Sequence, residues 1–169
     1  MCQKLLGEDV EIPDSTWSEN MMWVFENMRS GKYDSSDFKI VCRKSEDDLA
    51  EVKVPCHAVI LSSFSKYFKS ALQGDVDTDE KKYMEGKIDA TESQVLSVLK
   101  FVYTKQIDEE KDDIVGAWII GCKYVIEDLI EECEDIICEN LNEQNFKDMK
   151  ILAQTLKSER VLEKCERFE

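Results

Sequence analysis

Residues 56–68 read Cys-His-Ala-Val-Ile-Leu-Ser-Ser-Phe-Ser-Lys-Tyr-Phe, and the only histidine of the chain, His57, stands second in this stretch. Pro55 comes directly before it and closes a β-rich run, because proline cannot donate to a strand ladder. From His57 to Leu72 apolar residues recur at helical intervals, which predicts two short helices after the strand. Their apolar faces are formed by Val59, Ile60, Leu61, Phe64, Tyr67, Phe68 and Leu72.

A β-hairpin is predicted immediately before this junction. Residues 38–42 are Phe-Lys-Ile-Val-Cys and residues 52–54 are Val-Lys-Val, with a charged turn at 43–48 between them. Two β-rich runs joined by a polar turn are typical of a hairpin. A further short strand is predicted near residues 83–88, so the sheet is expected to be small.

An amphipathic helix is predicted ahead of the hairpin. Thr16 is an N-cap candidate, Glu19 completes the pattern of a capping box, and Gly31 is placed to end the helix. The apolar stripe of this helix consists of Trp17, Met21, Val24, Phe25 and Met28. Such a stripe packs either on the chain's own core or in a seam between molecules, and the sequence leaves both open.

The rest of the chain is predicted to be helical. Thr91 is placed to cap one helix, and a polar break at 106–113 separates it from the next segment. Further apolar stripes lie at 114–122 and 129–137, and another unit begins at Asn142. The order of helix, hairpin, helices, short strand and helices predicts an α+β fold with a small sheet and a majority of helices.

Composition places the chain among globular proteins with an acidic surface. Hydrophobic residues make up 43% and aromatic residues 9% of the 169 residues, which is enough for a packed core. The 37 acidic and 22 basic residues give a formal charge of −15. Such a surface repels phosphate backbones and anionic lipid, so neither nucleic acid nor membrane is an expected partner. The charge is interpreted either as solubility or as an acidic face for a basic partner.

The cysteines indicate a reducing compartment. There are seven, they form no CxxC pair, and no secretory signal precedes them. We therefore expect free thiols in an intracellular protein of the nucleus or cytoplasm. A structural zinc site is not expected, because one histidine and widely spaced thiols do not supply a tetrahedral set of ligands. No apolar run approaches the ~20 residues of a membrane span.

The sequence offers no catalytic constellation. His57 is the only candidate imidazole base, and the adjacent Cys56 points to another face because neighbouring strand residues alternate. The six glycines form no phosphate-binding motif. We therefore predict a protein that is not an enzyme and that has no cofactor and no metal.

Four motifs in this sequence resemble the BTB/POZ domain. They are Ser36-Asp37-Phe38-Lys39-Ile40, residues 56–68, Phe101-Val102-Tyr103-Thr104 with Lys105 in place of a family glycine, and the run from Cys122-Lys123-Tyr124 through Cys133-Glu134 to Asn140-Leu141. Their order and spacing are most similar to the speckle-type POZ (MATH–BTB) adaptors of cullin-3 ubiquitin ligases. Residues 142–168 resemble the helical 3-box that follows the domain in such adaptors. The implied organisation is a lead-in at 1–15, a BTB/POZ domain at 16–141 and a 3-box extension at 142–169.

The resemblance implies a homodimer. In the family the seam uses the first helix and the helix that follows the position of His57. Carried over to this chain, the interface residues are Trp17, Met21, Val24, Phe25 and Met28, with Ile60 opposite. Asp37 and His57 match family positions that are interpreted as structural.

The resemblance also implies a docking face for the N-terminal region of cullin-3. Its residues in this chain would be Phe68, Leu72, Val76, Thr78 and Tyr124. The family loop carries a hydrophobic residue, any residue and then glutamate, whereas this chain has Val76-Asp77-Thr78. The helical extension favours a substrate adaptor of a cullin-3 RING ubiquitin ligase, with its substrate recruited through a domain outside these residues. Thr78 favours the alternative, a dimerisation scaffold or transcriptional regulator that does not bind a cullin.

Overall fold

A computed structural model describes residues 16–33, 35–72 and 84–168, which form eight α-helices and a three-stranded sheet. The strands are β1 (Phe38–Arg43), β2 (Glu51–Cys56) and β3 (Met84–Thr91). The helices are α1 (Trp17–Arg29), α2 (Ala58–Phe64), α3 (Lys66–Leu72), α4 (Glu92–Thr104), α5 (Ile114–Tyr124), α6 (Glu127–Glu139), α7 (Phe146–Leu156) and α8 (Glu159–Cys165), followed by a 3-10 turn at Glu166–Phe168. The predicted α+β class with a helical majority is confirmed.

The two predicted N-caps are present. The Thr16 hydroxyl oxygen accepts a hydrogen bond from the backbone N–H of Glu19 at 3.3 Å, while the Glu19 carboxylate accepts one from the backbone N–H of Thr16 at 2.7 Å. Thr91 and Gln94 form the same reciprocal box at the start of α4. Both boxes satisfy backbone donors that a helix start otherwise leaves unpaired.

The sheet has the order β2-β1-β3, with β1 antiparallel to β2 and parallel to β3. Ile40 in the central strand lies opposite Val54 on one side and Gly86 on the other. A Cβ atom added at Gly86 would lie 2.7 Å from the ring of Phe38, so the glycine permits the close approach of β3 to that ring. The predicted hairpin is confirmed, and the third strand continues to Thr91, three residues beyond the predicted end.

Helix α4 lies at the centre of the apolar core. Val95, Leu99 and Val102 on its predicted face are all buried, and Trp118 of α5 is fully buried as well. The inner face of the sheet contributes Phe38, Ile40, Cys42, Val54, Cys56, Ile88 and Ala90 to the same core.

Helices α7 and α8 extend this core without a break. Ala153, Val161 and Cys165 are fully buried and belong to the same apolar cluster as the residues of α4 to α6. An ion pair between Asp135 and Arg160 joins α6 to α8. Residues 142–168 therefore pack on the preceding helices.

Candidate interaction surfaces

The strand-to-helix junction at His57 is held by hydrogen bonds within the chain. The Tyr103 hydroxyl oxygen accepts from the backbone N–H of His57 at 3.0 Å and lies 2.6 Å from Nδ1 of the same residue. The other ring nitrogen, Nε2, lies 3.0 Å from the hydroxyl of Ser35. Both imidazole nitrogens thus lie within hydrogen-bond distance of hydroxyl oxygens of the same chain.

Asp37 closes the other side of this junction. Its Oδ1 accepts a hydrogen bond from the backbone N–H of Ala58 at 2.8 Å, at the first residue of α2. A carboxylate at that position satisfies an unpaired donor and complements the helix dipole. The motif that begins with Ser36-Asp37 and the motif that contains His57 therefore meet in one place.

The neighbouring thiol is not set up for nucleophilic chemistry. Cys56 is fully buried, and desolvation by burial raises the pKa of its thiol to about 12. At neutral pH the thiol stays protonated, whereas a nucleophile or metal ligand must be a thiolate. Within the described ranges no group of three or more histidine, cysteine, aspartate or glutamate side chains could hold a metal ion.

The predicted dimer stripe on α1 is divided between core and surface. Phe25 and Met28 are 5% and 1% exposed and lie inside the chain's own core. Phe25 packs on the ring of Tyr103 with 5.7 Å between centroids, and Met28 accepts a weak hydrogen bond from the Tyr103 hydroxyl. Within the chain α4 covers that side of α1, and the assignment of Phe25 and Met28 to a seam between molecules stays a prediction.

The apolar residues left accessible form what we call the α1–α2 surface, which consists of Trp17, Met21, Val24, Val59 and Ile60. Trp17 and Val59 are 74% and 70% exposed, and the other three are half-buried. The Tyr103 hydroxyl contacts Met28 near the end of α1 and the backbone N–H of His57, the residue directly before α2.

Sequence reasoning missed part of the exposed apolar area. It placed Val59 on the apolar face of a helix, and the structure leaves this residue exposed to solvent. It also passed over Trp23 and Tyr33, which are 57% and 60% exposed and whose ring centroids lie 6.2 Å apart. A signal was available, because Trp23 stands on the otherwise polar side of α1, where a large aromatic residue has no core to fill.

Two of the predicted cullin-facing residues, Phe68 and Tyr124, meet in an aromatic cluster, which is defined by Tyr67, Phe68 and Tyr124. The rings of Phe68 and Tyr124 stack with centroids 5.4 Å apart, and Tyr67 meets Tyr124 edge-on at 5.1 Å. Phe68 and Tyr124 are each 6% exposed, whereas Tyr67 is 50% exposed. Tyr67, which the sequence analysis did not assign to this face, is thus the ring that a partner could reach.

Of the other residues predicted for that face, the structure describes Leu72, which is half-buried at the end of α3. Val76 and Thr78 lie outside the described residues. Phe68 and Tyr124 lie beneath the surface rather than forming it, because both rings are buried. The hydroxyl of Ser65 also donates to the Tyr124 carbonyl oxygen at 2.5 Å.

A cleft of about 480 Å³ lies where α7 packs against the end of α6. Its apolar wall consists of Ile114, Val115, Ile136, Ile137 and Met149. Glu109, Glu110, Asn140 and Asn145 line the rest of it.

The described part of the chain contains no helix long and apolar enough to cross a membrane.

This α+β fold exposes apolar and aromatic side chains, while His57 is hydrogen-bonded within the chain and Cys56 is buried. Such a combination is typical of a protein-interaction module. A family model for the BTB/POZ domain matches residues 25–141. The chain belongs to the BTB/POZ domain family.

Known relatives agree with this assignment. The chain is 27% identical to human Kelch-like protein 5 over 55% of its length and 29% identical to BTB/POZ domain-containing protein 6 of Xenopus laevis over 57%. The matched segments cover only 12% and 18% of those two proteins. Among solved structures, the BTB domain of zebrafish PATZ1 superposes with a TM-score of 0.53 at 18% identity, over 78% of this chain and 100% of that one, which shows the shared fold. Closeness to the speckle-type subgroup stays a prediction.

Proposed function

We propose that this chain is a dimeric BTB module that acts as a substrate adaptor of a cullin-3 RING ubiquitin ligase. The observation that carries the proposal is the half-exposed ring of Tyr67 over the stacked pair of Phe68 and Tyr124. Large aromatic rings on a rigid base are typical anchors of protein interfaces. The cluster also stands where the resemblance to cullin adaptors implies a docking face.

The helices at 142–168 support the same proposal. They pack on α6 through fully buried residues and leave an apolar cleft beside Met149. We propose that they are the 3-box extension and that this side of the molecule continues the cullin face. The domain at 16–141 and the extension at 142–169 then form one binding unit, preceded by a lead-in at 1–15.

Cullin binding is tested by calorimetric titration with the N-terminal fragment of cullin-3. Tyr67→Ala should weaken binding by more than tenfold, because truncating a central anchor costs ~2 kcal/mol or more. Leu49→Ala is the matched control, since Leu49 is 69% exposed at the far end of the β1–β2 hairpin from α2. Equal titration curves for the two variants and the wild type would reject the aromatic cluster as the docking site.

The proposed dimer uses the α1–α2 surface. Val59→Asp should place unpaired charges in a symmetric seam and shift the protein to monomers, at a cost of several kcal/mol. Leu49→Asp introduces the same charge at a residue of almost equal exposure and should leave the dimer intact. Sedimentation at micromolar concentration is the measurement, and a wild type that is already monomeric would contradict the proposal.

A dimerisation scaffold or transcriptional regulator without a cullin partner is the second candidate, and the threonine at position 78 favours it. Thr78→Glu restores the acidic residue of the family loop and should strengthen cullin-3 binding if that charge matters. Absence of binding by the wild type, together with clear binding by Thr78→Glu, would support the scaffold function.

A further inference from the structure

The turn between β1 and β2 carries a serine followed directly by three acidic residues. They are Ser45 and the run Glu46-Asp47-Asp48. No other serine or threonine of the sequence has acidic residues at all three following positions. Protein kinases select acceptors by the charge pattern around the hydroxyl, so a basic substrate groove would distinguish this site from the other hydroxyls.

The turn presents the hydroxyl on the surface. Ser45 is exposed, and the side chains of Glu46 and Asp48 are 68% and 46% exposed. The Ser45 oxygen accepts a hydrogen bond from the backbone N–H of Asp48 at 3.0 Å. Accepting that bond does not engage the hydroxyl hydrogen, which is the atom that a kinase must remove.

Two ion pairs at the turn are weak enough to exchange. Glu46 pairs with Arg43 at 3.2 Å and Asp48 pairs with Lys44 at 3.1 Å, and both carboxylate side chains are exposed, while Arg43 also pairs with Asp89. Exposed ion pairs contribute little stability and are screened by salt. Basic side chains of a kinase can therefore replace Arg43 and Lys44 as partners of these carboxylates.

We propose that Ser45 is a phosphorylation site for an acidophilic serine/threonine kinase. In this reaction Ser45 Oγ forms a bond to the γ-phosphorus of ATP while the bond from that phosphorus to the β–γ bridging oxygen breaks. ADP leaves, and the hydroxyl proton passes to the catalytic carboxylate of the kinase. The product carries an added charge of roughly −1.5 to −2 beside Arg43 and Lys44, which gain a phosphate partner. This inference does not depend on cullin binding.

Thr16 is the internal comparison, because Glu19 places an acidic residue three positions after it. Its hydroxyl is engaged with that same glutamate in the capping box at the start of α1. The folded chain should therefore be phosphorylated at Ser45 rather than at Thr16, whereas an acidic residue three positions after the hydroxyl would by itself allow both.

The test uses the full chain, a purified acidophilic serine/threonine kinase and ATP with Mg²⁺, and locates the phosphate by peptide mass spectrometry. Ser45 should be the main acceptor, and Ser45→Ala should remove that incorporation. Asp48→Asn, which removes the charge but keeps an oxygen that can accept from the backbone N–H of Ala50, should slow the reaction roughly tenfold or more, as expected for loss of a charge-assisted contact. Ser63→Ala changes an exposed serine with no acidic run after it and should have no effect.

Three results would overturn the inference. One is phosphate found at Thr16 or elsewhere while Ser45 stays unmodified. Another is phosphorylation of Ser45 in peptides from the unfolded chain but not in the folded protein, which would mean that the turn withholds the hydroxyl. A rate that is the same for Asp48→Asn and wild type would equally remove the charge recognition on which the site rests.

Discussion

Tyr103 places its hydroxyl between the end of α1 and the start of α2, where it meets three groups. It contacts the backbone N–H and Nδ1 of His57 and the sulfur of Met28, and the residue is 2% exposed. One buried hydroxyl thus connects two of the family motifs with the first helix. The tyrosine of the Phe-Val-Tyr-Thr motif is explained by this bridging position.

Removing that hydroxyl should destabilise the fold. Tyr103→Phe leaves the backbone N–H of His57 without its acceptor, which costs about 1–3 kcal/mol for a group shielded from water. Urea unfolding followed by circular dichroism gives the free energy of unfolding. Tyr67→Phe is the matched control, because Tyr67 is half exposed, and its change should stay within about 0.5 kcal/mol. Equal losses for the two variants would contradict the proposed role.

Lys105 occupies a backbone conformation that suits glycine. Its φ is 58°, at the C-cap of α4, and glycine is the residue that the resembling family carries there. In compensation, its ammonium lies 4.2 Å from the centre of the Phe64 ring and 5.2 Å from that of Phe101, and it pairs with Asp128. Lysine therefore combines a strained backbone with stabilising ring contacts and an ion pair.

Two substitutions separate those effects. Lys105→Ala loses these contacts and keeps the strained backbone, so it should be destabilised by about 1 kcal/mol. Lys105→Gly loses the same contacts and relieves the strain, so it should be more stable than the alanine variant by about 1 kcal/mol. Thermal unfolding of the pair decides, and an alanine variant at least as stable as the glycine variant would show that the backbone is unstrained.

At the scale of elements, the three strands are joined on both faces of the sheet. Lys53 on β2 reaches across to Glu85 on β3 at 2.7 Å, so the outer face of the sheet is bridged by charges while the inner face is packed. The parallel register sets Gly86 beside the buried ring of Phe38. The glycine is thus required by packing between strands and not by a turn.

Gly86→Ala should loosen this pairing. Its Cβ would approach the Phe38 ring to 2.7 Å, and forcing an extra carbon into a packed core costs typically ~1–3 kcal/mol. Glu85→Ala, one residue earlier on the solvent face, loses only an exposed ion pair and should cost about 0–1 kcal/mol. Chemical denaturation compares them, and a Gly86→Ala variant as stable as Glu85→Ala would mean that the ring moves aside freely.

At the scale of the whole molecule, the C-terminal helices complete the core. Cutting the chain after Leu141 should lower the melting temperature by roughly 5 °C or more, because the apolar surfaces of α6 would be exposed. Val161→Asp should reproduce the loss within the full chain, since Val161 is fully buried, while Ile151→Asp at a residue 64% exposed should not. Scanning calorimetry is the measurement, and an unchanged melting temperature after truncation would make the extension an independent tail.

The elements of this protein followed from its sequence wherever the signal was local. The N-caps at Thr16 and Thr91, the β1–β2 hairpin, the two short helices after His57 and the α4 stripe depend on residues a few positions apart, and each is present. Periodicity and capping act within one or two turns of chain, so they can be deduced without knowing the fold.

Only the tertiary structure decided which side of an apolar stripe is covered. Phe25 and Val24 are neighbours with similar local signals, yet α4 buries the first and leaves the second half-exposed. The same holds for Phe68 and Tyr67, because Tyr124, which comes from α5, stacks on one ring and leaves half of the other accessible. Burial depends on neighbours that are distant in sequence, and therefore the candidate surfaces of this BTB/POZ domain could be defined only after the helices were placed in space.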